Sequence, residues 1–199
     1  MMLVEETTVP SAALPVTEFK DHLRLGSGFS DDGLQDAVLE NYLRAAVAAI
    51  EARTGKILIA RDFSWTLTVW RDAAAQALPV APVNAIIDVV QIDRIGIETL
   101  TPVDSWRLVP DAQRPRLAAN GGSLPAVPYN GSVRIGFNAG FGIEWSDLPA
   151  DLGQAVLMLA THYYEYRHDL AATGASMPYG VNALIERYRT IRLFMGGRS

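Results

Sequence analysis

A chain of 199 residues with 49% hydrophobic and 20% charged side chains is long enough for a real core and too apolar for disorder. Its lack of cysteine excludes disulfides, thiolate catalysis and cysteine-ligated metals. The 17 Lys and Arg against 22 Asp and Glu leave a net charge of −5, the wrong sign for coating nucleic acid, where phosphate contacts need surplus cations.

Residues 1–14 show no periodicity and read as an extended N-terminal arm. The stretch also lacks a basic region followed by an apolar run, so secretion by that route is not expected. Thr17 is placed to cap a short helix over residues 18–25, with Phe19 and Leu23 on one side, and the glycine-containing run 26–30 breaks it. Asp31 or Asp32 then caps a long helix to about Thr54, which Gly55 ends in a left-handed conformation. On its wheel Leu34, Val38, Tyr42, Ala45 and Ala49 gather on one side, with Leu39, Leu43, Ala46 and Ile50 adjoining. Asp36, Glu40, Arg44 and Glu51 fill the opposite, wet arc.

From residue 57 the period changes. Phe63, Trp65, Leu67 and Val69 alternate with Ser64, Thr66 and Thr68, the pattern of a half-buried strand. Residues 86–92 and 105–109 are β-branched or aromatic runs between turns, and Val133, Ile135 and Phe137 alternate again. Residues 78–83, with Pro79 and Pro82, resemble an extended edge, because proline cannot donate to a ladder. Three tryptophans, Trp65, Trp70 and Trp106, demand more cover than so short a β segment readily supplies.

Helical spacing returns at Leu148. Ser146 or Asp147 is placed as a cap, with Pro149 in the first turn. Leu148, Leu152, Ala155, Val156, Leu159, Tyr163 and Tyr166 form a stripe that Leu157, Ala160 and Tyr164 widen, so this helix is expected at the centre. A last helix over about 181–195 puts Val181, Leu184, Ile185, Tyr188, Ile191 and Met195 on one side. No run approaches the roughly 18 apolar residues of a membrane span.

Chemical motifs are few. Gly26-Ser27-Gly28 follows a helix rather than a strand and lacks the third glycine of a dinucleotide fingerprint, and no Gly-Lys-Ser/Thr occurs. His162, Glu165 and His168, at i, i+3 and i+6, spread over about 120° of helix circumference, unlike the i, i+4 histidines of zinc proteases. They read as the rim of a tyrosine cluster. Neither a metal nor another cofactor is implied, and no catalytic set is assigned. The C-terminal stretch does stand out. Arg187, Arg189, Arg192 and Arg198 face one acid, Glu186, while Leu193 and Phe194 fall off the apolar stripe. Such a mixture fits either a frayed helix end whose cations complement the dipole or a docking tail.

Several segments, in order, carry a resemblance. They are Pro15-Val16-Thr17-Glu18-Phe19-Lys20-Asp21-His22-Leu23-Arg24, the Asp31-Asp32 cap, and Ala49-Ile50-Glu51-Ala52-Arg53-Thr54-Gly55-Lys56. Then come Val133-Arg134-Ile135-Gly136-Phe137-Asn138-Ala139-Gly140-Phe141-Gly142, Leu148-Pro149-Ala150-Asp151-Leu152-Gly153-Gln154-Ala155, His162-Tyr163-Tyr164-Glu165-Tyr166-Arg167 and Met177-Pro178-Tyr179-Gly180-Val181. Together they resemble tailed-phage head–tail connector (adaptor) proteins, and the Ala- and Arg-rich composition is similar to the versions found in gene transfer agents. The likeness is weakest over residues 70–130.

The reading is an α+β chain: a helical bundle from residues 15–56 and 143–195, a small antiparallel β domain inserted at 57–142, and a tail at 196–199. The resemblance implies a structural, non-enzymatic protein of the neck of a phage or phage-like particle, made in the bacterial cytoplasm. It would form a ring with itself, about twelve copies, below the portal protein, with tail-side connector or tail terminator components as further partners. Duplex DNA would pass through the ring without specific binding, and no membrane is involved. Portal docking is placed on Arg187, Tyr188, Arg192, Leu193, Phe194 and Met195. The alternative is a non-phage helical protein-binding module without catalytic activity.

Overall fold

The computed structural model describes residues 2–23, 35–167 and 177–189. Among these residues four α-helices and two antiparallel sheets make the chain α+β. Strand β1 (Met2–Glu5) and helix α1 (Val16–His22) come first, followed by the long helix α2 (Asp36–Thr54). Seven strands follow: β2 (Arg61–Leu67), β3 (Ala75–Ala77), β4 (Val83–Ile92), β5 (Glu98–Leu100), β6 (Trp106–Val109), β7 (Arg116–Ala119) and β8 (Ser132–Ala139). Helices α3 (Ala150–Glu165) and α4 (Tyr179–Ile185) close the described chain, α4 running on into a 3₁₀ turn, Glu186–Tyr188.

Helix α2 ends as its sequence requires. Gly55 takes φ 69°, and its N–H donates to the Glu51 carbonyl. Its expected Asp31 or Asp32 cap lies outside the described residues. The core face is the stripe of Leu39, Leu43, Ala46, Val47 and Ile50, whereas Val38 is half exposed and Ala45 is exposed. Packing against α3 selects that narrower stripe and leaves Val38 and Ala45 of the expected apolar arc outside it. Helix α1 starts at Val16 rather than at a Thr17 cap, and Phe19 is fully buried. Pro149 stands at the N-cap of α3, and Asp147 instead closes a capping box with Glu144 on the preceding 3₁₀ turn, Trp145–Asp147. As its all-round apolarity demands, α3 packs against both α2 and α4.

The larger sheet has the order β1-β2-β8-β4-β5, and β3-β7-β6 form the smaller one. Period-2 alternation sends Phe63, Trp65, Leu67, Val133, Ile135 and Phe137 to one face of the large sheet, where they meet Leu117 of the small sheet in a shared core. Trp65 is buried there, Trp70 and Trp106 pack at the margin, and the Trp70 indole donates to the Pro125 carbonyl at 2.7 Å. The three tryptophans therefore find their cover within the fold. A second core joins α1, α2, α3 and α4, and it takes in Val9, Ala13 and Leu14 from residues 1–14 as well as Leu58 and Ile59.

The link between the two cores is residues 55–61. Ile57 belongs to the sheet core, while Leu58 and Ile59 belong to the helix core. Glu51, expected on the wet arc, is instead 9% exposed. It accepts the Leu58 N–H at 2.8 Å and pairs with Arg61, itself 7% exposed, at 2.7 Å. Arg61 also reaches Glu5 of β1 at 2.8 Å. Burial disfavours the Arg61 charge, but the Glu51 and Glu5 carboxylates outweigh it and hold the guanidinium pKa above its ordinary value. One cation thus fastens the first strand, the long helix and the first central strand together.

Candidate docking site

The end of the described chain is built on one carboxylate. Asp151 lies in the first turn of α3, where a negative charge complements the helix dipole. Its Oδ1 accepts the Tyr188 hydroxyl at 2.7 Å, and its Oδ2 pairs with Arg187 Nε at 2.9 Å. The Arg187 guanidinium also lies 4.7 Å from the Tyr188 ring centroid. Phe141 also meets Tyr188 edge-on, with 6.3 Å between the ring centroids. The tight 3₁₀ winding explains how Ile185 and Tyr188 both reach the core, because side chains at i and i+3 eclipse there.

The residues assigned to docking therefore separate. Tyr188 is 9% exposed and faces its own core, and burial raises its phenol pKa above the ordinary range. Arg187 is 69% exposed and bound to Asp151. Arg192, Leu193, Phe194 and Met195 lie outside the described residues. The expected helix over about 181–195 gives way at Arg189, whose backbone is extended (φ −68°, ψ 130°). Asp151 was missed because its only sequence signal, an acid after Pro149, reads as an ordinary N-terminal helix residue.

A second surface was also missed. Ile87, Ile95, Ile97, Leu100 and Val103, on and around the β4–β5 hairpin, are each more than half exposed. Their sequence signal is an apolar alternation, Ile95-Gly96-Ile97, with no core element left to receive it. At the far side of the same sheet Met2 and Leu3 are exposed on β1.

His162 lies 4.7 Å from the Tyr166 ring, centroid to centroid, and His168 lies outside the described residues. Among the described residues no three His, Asp or Glu side chains gather as a metal site, and no helix is long and apolar enough to cross a membrane.

No protein-family model matches the chain, and no curated protein does. Solved structures do. A chain in the neck of an empty gene transfer agent (GTA) particle, computed with C6 symmetry, is 56% identical, with 98% of this chain and 99% of that chain covered and a TM-score of 0.89. A chain in the neck of a native GTA particle, computed with C12 symmetry, is 52% identical over the same shares at a TM-score of 0.85. A chain in the virion of a native GTA particle gives 56% identity, again over 98% and 99%, at 0.87. Identity of this order across almost the whole of both chains leaves one conclusion: the protein belongs to the head–tail connector family in its gene transfer agent version, the family of GTA neck proteins.

Proposed function

We propose that the protein is a structural head–tail connector in the neck of a gene transfer agent particle. In this reading it forms a ring of about twelve copies below the portal protein, lines part of the DNA channel, and carries the tail-side components beneath it. It is no enzyme. The observation that supports this most directly is the identity of 52–56% over 98% of the chain with chains from GTA necks and virions. The helices of residues 15–56 and 143–195 act as the bundle that holds the chain on the portal. The β domain of 57–142 faces neighbouring subunits and the tail.

Portal docking falls to the residues beyond Arg189. With Arg187 and Tyr188 held by Asp151, the fold is anchored up to the point where the chain turns extended. Arg192, Leu193, Phe194 and Met195 then supply the cationic and apolar side chains that interface centres favour. The experiment is deletion of the gene in a producing strain. Filled heads and separate tails, rejoined when the chain is supplied in trans, are the expected result. Complete particles in the deletion strain would refute the reading.

A further inference from the structure

Among the described residues each end of the five-stranded sheet is an open edge, β1 on one side and β5 on the other. Natural sheets usually cover or charge such edges, because exposed apolar side chains beside unpaired backbone groups invite another chain. Here each edge carries one acid, Glu5 on β1 and Glu98 on β5, both paired with arginines of the same sheet, beside exposed apolar side chains. Met2 and Leu3 are exposed on β1; Leu100 is exposed on β5, with Ile95 and Ile97 before it and Val103 after it.

The register relates the two edges. Leu100 pairs with Val90, Val90 with Arg134, Arg134 with Thr66, and Thr66 with Met2. Leu100 and Met2 are therefore the two ends of one row of side chains on the same face, 65% and 61% exposed. All four pairings are antiparallel, so β1 and β5 run in the same direction. A two-fold dimer would join like edges. A cyclic ring instead sets one surface of each copy against a different surface of the next, repeated until it closes. The necks that hold this chain's relatives were computed with cyclic symmetry. A copy displaced sideways along the sheet brings its Met2 beside its neighbour's Leu100, leaving neither edge open once the ring is complete.

We propose that the β4–β5 hairpin of each copy docks on the β1 edge of the next copy, and that this contact closes the ring. The proposal rests on the connector reading above. Because the facing strands run parallel and span only three or four residues, side chains rather than a long ladder carry the contact. The patch is far smaller than the roughly 20–30 residues a side of a stable complex. The ring then forms on a template, and the protein alone stays monomeric.

The absence of cysteine gives a clean test. Particles carrying Met2→Cys together with Leu100→Cys, mildly oxidised, should yield a ladder of connector multimers, while either single variant yields none. A second variant, Leu100→Asp, should melt like the unaltered protein, since the side chain is exposed, yet enter particles at least tenfold less. Normal entry of Leu100→Asp overturns the proposal. So do unlinked thiols in particles that hold the double variant at full copy number, and so does crosslinking to a different polypeptide. Particles lacking even the unaltered chain would sink the connector reading first, and this contact with it.

Discussion

The Tyr188 hydroxyl and Asp151 Oδ1, 37 residues apart in sequence, meet at 2.7 Å and tie the end of the described chain to the first turn of α3. Removing that hydroxyl in Tyr188→Phe should cost about 1 kcal/mol in urea unfolding. Asp151→Ala loses the Arg187 pair as well and should cost more, about 1.5–3 kcal/mol in all. An Asp151→Ala chain as stable as the parent would show that the contact does not hold the segment.

The same tyrosine sets an alkaline limit. Its ordinary pKa is 10.0, and burial raises it in the folded state, as it does for Tyr163. Below pH 10 both states keep the proton, and the folded state has its full stability. Above that, the unfolded chain ionises first, so stability falls as pH rises toward the folded pKa. Urea midpoints between pH 8 and 11 should show this decline, and Tyr188→Phe should make it shallower. A slope unchanged by the substitution would reject the assignment.

Glu51 and Arg61 are both almost fully buried, so removing Glu51 leaves the guanidinium only the more exposed Glu5 as a counter-charge. Glu51→Ala should destabilise the fold by about 3–5 kcal/mol, whereas Glu51→Leu combined with Arg61→Met should cost much less. Glu5→Ala, at the exposed side of the same guanidinium, should cost at most about 1 kcal/mol. A double-mutant cycle by urea unfolding measures the coupling, and additive effects would contradict it.

Gly140 takes φ 142°, and a methyl group there would collide with the Ala60 backbone. Gly140→Ala should therefore cost several kcal/mol, which a large fall in melting temperature would report. Gly121→Ala has open space around it and serves as the tolerated control.

Truncation after Arg189 leaves the Asp151 contacts intact, so the shortened chain should melt within a few degrees of the parent. It should no longer copurify with portal. Retention at normal stoichiometry would remove docking from Arg192, Leu193, Phe194 and Met195. Neither chain should shift duplex DNA at physiological salt, because the full chain carries a formal −5, the truncated one lacks two further arginines, and tight phosphate contacts would hold the duplex back. Micromolar, salt-sensitive gel shifts would contradict that.

Much of this was legible in order along the chain. Gly55 marked the end of α2, and the alternation around Trp65 and Ile135 marked two central strands, because one-sided burial imposes the period directly. The strands β1, β3, β5 and β7 escaped notice, being three or four residues long and too short to show a period. Glu51 read as wet because a wheel shows the face of a side chain and not its partner. Only the fold brings Arg61 to it. The docking residues were half legible: apolarity put Tyr188 on the core stripe, but the single carboxylate that holds it lies in another helix.

The middle strand of the large sheet, β8, is also the last of its strands to leave the ribosome. Until residue 139 is made, β2 and β4 each lack a partner on the side that β8 fills. Closing the sheet means joining Arg61 to Ala139 across most of the intervening chain, a non-local step that is slow. Half-made chains therefore carry two bare edges, one with Phe63, Trp65 and Leu67 and one rich in valine and isoleucine, the form in which they would aggregate. Yield during production should then depend more on chaperone supply and growth temperature than on the stability of the finished fold.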